Sequence, residues 1–148
     1  MSAVSATIEQ VESVLAALDR SDVVVANHNS PKQVVISGTR EGVEAAETAL
    51  VADGLRARRL PVSTAFHSPL VAESSVPFAE FLSDVPFAEE RLPVWSGEAA
   101  APYDGKADER RARLAQQIAR RVRFVDLVQN MAESGAHTFV EVGPGSVL

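Results

Sequence analysis

The sequence predicts an α+β chain in two parts. A β-α-β-β-α-β unit should occupy residues 1–62, and a looser α/β-type stretch should follow over residues 63–148. Three observations carry this expectation. Two β-branched runs, Val23-Val24-Val25-Ala26 and Gln33-Val34-Val35-Ile36-Ser37, flank the turn-forming Asn29-Ser30-Pro31-Lys32. One helical pattern lies on each side of that hairpin. Beyond residue 62, helical and strand-like segments alternate and are separated by Gly- and Pro-rich turns.

In chain order, Ser2 to Ser5 alternates weakly and reads as a short strand. Thr7-Ile8-Glu9-Gln10 has the form of a capping box, with Thr7 as N-cap and Gln10 reaching back. Ile8, Val11, Val14, Leu15 and Leu18 recur at helical spacing and form one apolar stripe. After the hairpin, Gly38-Thr39 opens a second helix whose buried side is Val43, Ala46 and Leu50, and Gly54 is placed to end it. The next strand is expected over 55–62. Four strands and two helices in this order give the ferredoxin-like arrangement, two helices on a four-stranded sheet.

In the second part, 69–84 reads as a helix with Pro69 in its first turn after Ser68 as N-cap, bent or restarted at Pro77. A short strand is expected at 92–96, a loop over 97–105 and a charged helix over 108–120. A helix over 124–134 follows, then a strand at 138–142 that ends in the turn Gly143-Pro144-Gly145. Two or three short strands are too few for a doubly wound sheet, so this part reads as an incomplete layer that needs more polypeptide.

Composition narrows the function. Hydrophobic residues make up 46% and charged residues 23%, as in an ordinary globular protein. A net charge of -6 disfavours a nucleic-acid groove or an anionic membrane surface as partner. With no cysteine there are no disulfides, thiolate metal sites or thiol nucleophiles. No secretory leader and no bilayer-length apolar run is visible, so a soluble, cytoplasmic protein is expected.

Three histidines could carry chemistry: His28, His67 and His137. Their spacing matches no metal-ligand pattern, so no metal is expected. His28 on the hairpin and His137 before a strand read as surface residues. His67 stands on a strand-to-helix connection, where a neutral imidazole can serve as general base. A half-buried histidine satisfied by a backbone carbonyl is the alternative. No Gly-x-Ser-x-Gly elbow is present to supply a nucleophile. Ser68 is expected to cap a helix, and Ser146 lacks the strand-to-helix setting.

Three motifs occur in order: Asn27-His28-Asn29-Ser30-Pro31-Lys32-Gln33-Val34-Val35-Ile36-Ser37-Gly38, Ala65-Phe66-His67-Ser68-Pro69-Leu70, and Val140-Glu141-Val142-Gly143-Pro144-Gly145. Together they resemble the acyltransferase domain of polyketide and fatty acid synthases, the malonyl-CoA:acyl carrier protein transacylase family. The wording around Phe66 and Pro77-Phe78-Ala79 is most similar to iterative type I systems of the polyunsaturated fatty acid or enediyne kind. The resemblance implies an α/β-hydrolase-like large subdomain with an inserted ferredoxin-like small one, so 1–62 would be the insert and 63–148 the C-terminal portion of the large subdomain. It also implies ping-pong transfer of malonyl from coenzyme A, through an acyl-serine, to the phosphopantetheine thiol of an acyl carrier protein, with no bound cofactor.

By the same resemblance, His67 is the base and Gln117 the residue whose backbone carbonyl orients it. Phe66 is the malonyl-selecting position, and Asn27 and Asn29 face the substrate cleft. Thr64 stands where malonyl-type domains commonly carry histidine. The family's serine elbow, carboxylate-binding arginine and oxyanion-hole glutamine are implied to precede Met1, so the missing N-terminal part would be a partner. A second reading is a non-catalytic module that docks an acidic carrier protein on Arg56, Arg58 and Arg59, residues that otherwise read as a charge-protected edge strand. A small-molecule regulatory module on the ferredoxin-like unit is a third.

Overall fold

The computed structural model describes residues 1–143. Its first six elements are β1 (Ser2–Ser5), α1 (Ile8–Leu18), β2 (Val23–Ser30), β3 (Gln33–Gly38), α2 (Arg40–Ala52) and β4 (Arg56–Arg59). The strands form one antiparallel sheet in the order β2-β3-β1-β4. Local chemistry sets the helix ends. The Gln10 amide N–H donates to Thr7 Oγ1 (3.4 Å) while Gln10 Oε1 accepts from the Thr7 N–H (3.0 Å). At α2, the Gly42 N–H donates to Thr39 Oγ1 at 2.9 Å, and Gly54 takes the left-handed φ of 79° just past its end.

One face of the sheet and the two helices enclose the core. Val4, Val11, Val23, Val25, Val34, Ile36, Val43, Ala46 and Leu50 meet there, with Ile8, Val14, Leu15 and Leu18 packed half-buried around them. Val11 is thus the only residue of the α1 stripe to be fully enclosed. The others roof the margin, because one helix face is wider than the part of it that the sheet covers.

The hairpin differs from its expected form. β2 continues through Asn27, His28, Asn29 and Ser30, leaving Pro31-Lys32 alone as the turn. Register shifts at Ala26 and Asn29 mark two bulges, each adding one residue to β2 relative to β3. β4 is also shorter than the expected 55–62. Pairing with β1 ends at Arg59, and Pro61 beyond it offers no N–H for a ladder.

After residue 62 come a 3-10 helix (Pro69–Ser74), α3 (Ser75–Ser83), the two-residue strands β5 (Trp95–Ser96) and β6 (Ala101–Pro102), α4 (Ala107–Gln116), a 3-10 turn (Gln117–Ala119) and α5 (Phe124–Glu133). The restart expected at Pro77 falls at Ser75, because a proline fits the first turn of a helix, where no N–H partner is needed. The strand expected at 92–96 shrinks to Trp95-Ser96, and its mate lies inside the expected loop. Residues 138–142 join no sheet. Pro144 and Gly145 of the expected Gly-Pro-Gly turn lie outside the described residues.

A strand forms only against a neighbour, and in this part the pairing is confined to β5 and β6, while Leu92 (77%), Val94 (52%), Phe139 (51%) and Val140 (78%) leave their apolar side chains exposed. Among the described residues of this part, the fully buried apolar side chains are Leu82, Ala100 and Ala115. The two parts are joined at the edge of β2. There the Val122 N–H donates to Ala26 O (2.8 Å), and the His28 N–H donates to Val122 O (2.9 Å).

Leu50→Ala should cost about 2–5 kcal/mol by chemical denaturation, since Leu50 is wholly enclosed. A second expectation concerns acid. Asp22 receives a two-pronged bond from Arg20 (2.8 and 2.7 Å) and a bond from the Thr39 hydroxyl. The Arg20 fork first, and Thr39 next, hold its carboxyl far below the ordinary value of 3.8. A depressed carboxylate contributes stability that is fully present above that value and is lost progressively as the pH falls below it toward the depressed value. Melting temperature should therefore fall below about pH 4, and less steeply in Asp22→Asn, as thermal melts across pH would show.

Candidate active site

The connection from β4 into the second part ends at His67, whose φ of 58° is left-handed. Non-glycine residues in that region are uncommon, and histidine is among those that tolerate it. The backbone is pinned there, because the His67 N–H donates to Ile118 O at 2.8 Å. Ser68 is buried, and its hydroxyl donates to Ala65 O at 2.7 Å. It occupies the N-cap position of the 3-10 helix without a side-chain capping bond. The capping role expected of it is replaced by one that closes the tight turn around His67.

The imidazole is held by the same segment. His67 Nδ1 lies 3.1 Å from Gln117 O and 3.0 Å from Arg120 O. A carbonyl oxygen only accepts, so this geometry assigns the proton to Nδ1 and leaves Nε2 of the neutral ring with a free lone pair. A histidine in that tautomer can take a proton from a hydroxyl or thiol placed at Nε2. Among the described residues, no hydroxyl is hydrogen-bonded there.

These carbonyls are available because the helix expected over 108–120 is not continuous. α4 stops at Gln116, a 3-10 turn follows, and Arg120 is extended with φ -104° and ψ 147°. In an unbroken α-helix, Gln117 O and Ile118 O would be used by N–H groups four residues on. Here Gln117 O accepts a 3-10 bond from Arg120 N (3.2 Å) and keeps capacity for the ring, and Ile118 O takes the His67 N–H. Arg120 is a site residue that sequence reasoning missed. Its contribution is a backbone carbonyl, for which side-chain identity gives no signal.

The remaining residues divide. Phe66 precedes the imidazole in the chain and is 41% exposed. Asn27 pairs with Val35 on one edge and bridges Val122 on the other, so it lies beside the segment that carries Arg120. Asn29 is the extra residue of the second bulge, near the hairpin end, with its amide 3.5 Å from Gln33 Oε1. Thr64 is exposed on the approach to the site.

The three arginines of β4 do not form one patch. Arg59 turns toward α2 and pairs with Glu47 at 2.7 Å, with Glu44 at 3.8 Å, whereas Arg56 and Arg58 alternate to the other face, as strand geometry requires. His28 is half-buried rather than solvent-facing, and His137 is exposed. Among the described residues, no group of three His, Cys, Asp or Glu side chains could hold a metal ion.

Comparison with known proteins bears on this geometry. The sequence profile of the acyl transferase domain matches residues 1–148. The malonyl CoA-acyl carrier protein transacylase of Synechocystis sp. is 41% identical over 143 residues, which are 95% of this chain and 47% of that protein. The crystal structure of the corresponding transacylase from Clostridium perfringens superposes with a TM-score of 0.88 at 32% identity, covering 97% of this chain and 46% of that one. A malonyl-transacylase solved in complex with a type II polyketide synthase acyl carrier protein gives a TM-score of 0.88 at 30% identity, with 97% and 48% covered. The chain thus spans about half the length of the relatives it matches. It belongs to the acyl transferase domain family.

Proposed function

We propose that this chain supplies the general base and part of the acyl pocket of an acyltransferase that moves malonyl from coenzyme A to the phosphopantetheine thiol of an acyl carrier protein. The observation that carries this reading is the imidazole of His67, with Nδ1–H on two carbonyls and Nε2 free. The malonyl CoA-acyl carrier protein transacylases that the chain resembles supply the substrates.

The nucleophilic serine would come from the share of the relatives' length that this chain does not span. His67 Nε2 takes the serine proton as the hydroxyl attacks the thioester carbonyl, and the imidazolium returns it to the departing coenzyme A sulfur. In the second half-reaction Nε2 takes the proton of the carrier thiol, and the serine oxygen leaves with it. Nδ1–H stays on its carbonyls through both, so the ring need not turn between them.

In this reading residues 1–62 are a ferredoxin-like small subdomain and residues 63–148 a portion of an α/β-hydrolase-like large one. The antiparallel sheet with two helices on one face supports the first assignment. The exposed apolar side chains of Val94 and Val140 support the second, since a parallel sheet buries both faces. Phe66 walls the acyl pocket, its ring crowding an α-methyl group. Asn27 and Asn29 stand on the cleft side of β2, and Arg56 and Arg58 offer charge to an acidic carrier.

The test uses the intact acyltransferase that contains this segment, assayed for malonyl transfer from malonyl-CoA to a carrier protein. His67→Ala should lower kcat by about a thousandfold while leaving the fold intact. Wild-type activity in that variant would sink the assignment. Phe66→Ser should raise the rate with methylmalonyl-CoA relative to malonyl-CoA by roughly tenfold, the order expected for one methyl group in a fitted pocket. An unchanged ratio would remove Phe66 from the pocket wall.

A further inference from the structure

We propose that Arg121 is a positioning residue for His67, acting through the backbone of residues 120–122; this rests on the reading of His67 as the base. Three adjacent residues divide the work. Arg120 turns its carbonyl to the imidazole at 3.0 Å. Val122 is locked on both sides to the β2 edge, to Ala26 O at 2.8 Å and by the His28 N–H at 2.9 Å. Between them, Arg121 extends its guanidinium to two separate elements. Nε–H donates to Val25 O at 3.2 Å, and Nη1 pairs with Glu12 on α1 at 2.8 Å.

The geometry needs both prongs. Nε and Nη1 belong to one rigid plane, so bonding a strand carbonyl and a helix carboxylate together fixes the plane's orientation and, through the side chain, the Cα of residue 121. That Cα is the next link after the Arg120 carbonyl. The bulge at Ala26 belongs to the same device. The inserted residue leaves the β3 register, and its carbonyl accepts from Val122 directly beside the Val25 carbonyl that receives Arg121. The edge strand of one part of the chain thereby sets the hydrogen-bond acceptors of a base that stands on the other part.

Arg121 and Glu12 have side-chain exposures of 39% and 45%. A pair so exposed adds little to stability. A shift of the Arg120 carbonyl by a fraction of an ångström acts on chemistry instead, because the second acceptor for Nδ1–H is then lost and the ring can rotate or change tautomer.

The experiment compares Arg121→Ala, Arg121→Lys, Glu12→Gln and His67→Ala in the intact acyltransferase. Arg121→Ala should lower kcat about five- to tenfold with little change in KM for malonyl-CoA. Arg121→Lys keeps the pair to Glu12 but cannot fork, and should recover only part of that loss. Glu12→Gln tests the same strut with a milder change and should fall between wild type and Arg121→Ala.

Nitrogen-15 NMR of the His67 ring supplies a signature independent of turnover. The wild type should show Nδ1 protonated and Nε2 bare, and Arg121→Ala a mixture. Wild-type kcat and ring signals in Arg121→Ala and Glu12→Gln would overturn the proposal. So would a lower melting temperature with unchanged ring signals, which is the mark of a merely structural residue. His67→Ala run alongside separates the two claims. If it stays active the base assignment fails, whereas an inactive His67→Ala with unaffected Arg121 variants defeats only the strut.

Discussion

Everything at the site depends on one turn of backbone, residues 117–120, wrapped around the His67 ring and main chain. Three carbonyls in that turn are occupied by one histidine: Ile118 O by its N–H, Gln117 O and Arg120 O by its Nδ1. A left-handed residue followed by a buried serine is the counterpart on the other side. Neither half would hold its shape alone. The left-handed φ of His67 is tolerated because its N–H finds a partner there, and the helix break after Gln116 is tolerated because the freed carbonyls find donors.

Stability and chemistry are distributed unequally along the chain. The apolar core lies almost wholly between the sheet and α1 and α2, within residues 4–50. The second part holds the site yet encloses few apolar side chains, and it leans on the first through the β2 edge and through Arg121. A rigid sheet thus serves as the reference frame for a loop that must keep an imidazole in place. This is the usual division between a scaffold and the connections that carry function.

The extent to which the sequence was legible followed the range of the interactions involved. The cap at Thr7, the helix start at Gly38-Thr39, the buried side Val43–Ala46–Leu50 of α2 and the glycine that ends it were all visible, since each is settled within a turn or two of chain. The element order of the first part was readable for the same reason. The length of β2 was not. Asn27 to Ser30 include turn-forming side chains, yet they are extended against Val35, Val34 and Gln33 of β3, and around Asn27 also against Val122, ninety-five positions further on. The apolar alternation over 138–142 predicts a strand that is not formed, because a ladder also needs a second strand. The helix expected over 108–120 ends as an α-helix at Gln116, because tertiary demand for the carbonyls of Gln117 and Ile118 overrides the helical propensity of Gln117-Ile118-Ala119.

His67 could be singled out from its place on a strand-to-helix connection, whereas Phe66 and Gln117 were named only through the resemblance of the motifs to a known family. The sequence by itself determined which groups are available: one histidine on a strand-to-helix connection, no thiol, and β-branched strands with amphipathic helices to carry them. Only the tertiary structure decided the state of that histidine. Its tautomer is set by Gln117 O and Arg120 O, some fifty residues away in the chain. Backbone carbonyls are identical at every position, so which of them will face a given ring is settled by folding alone.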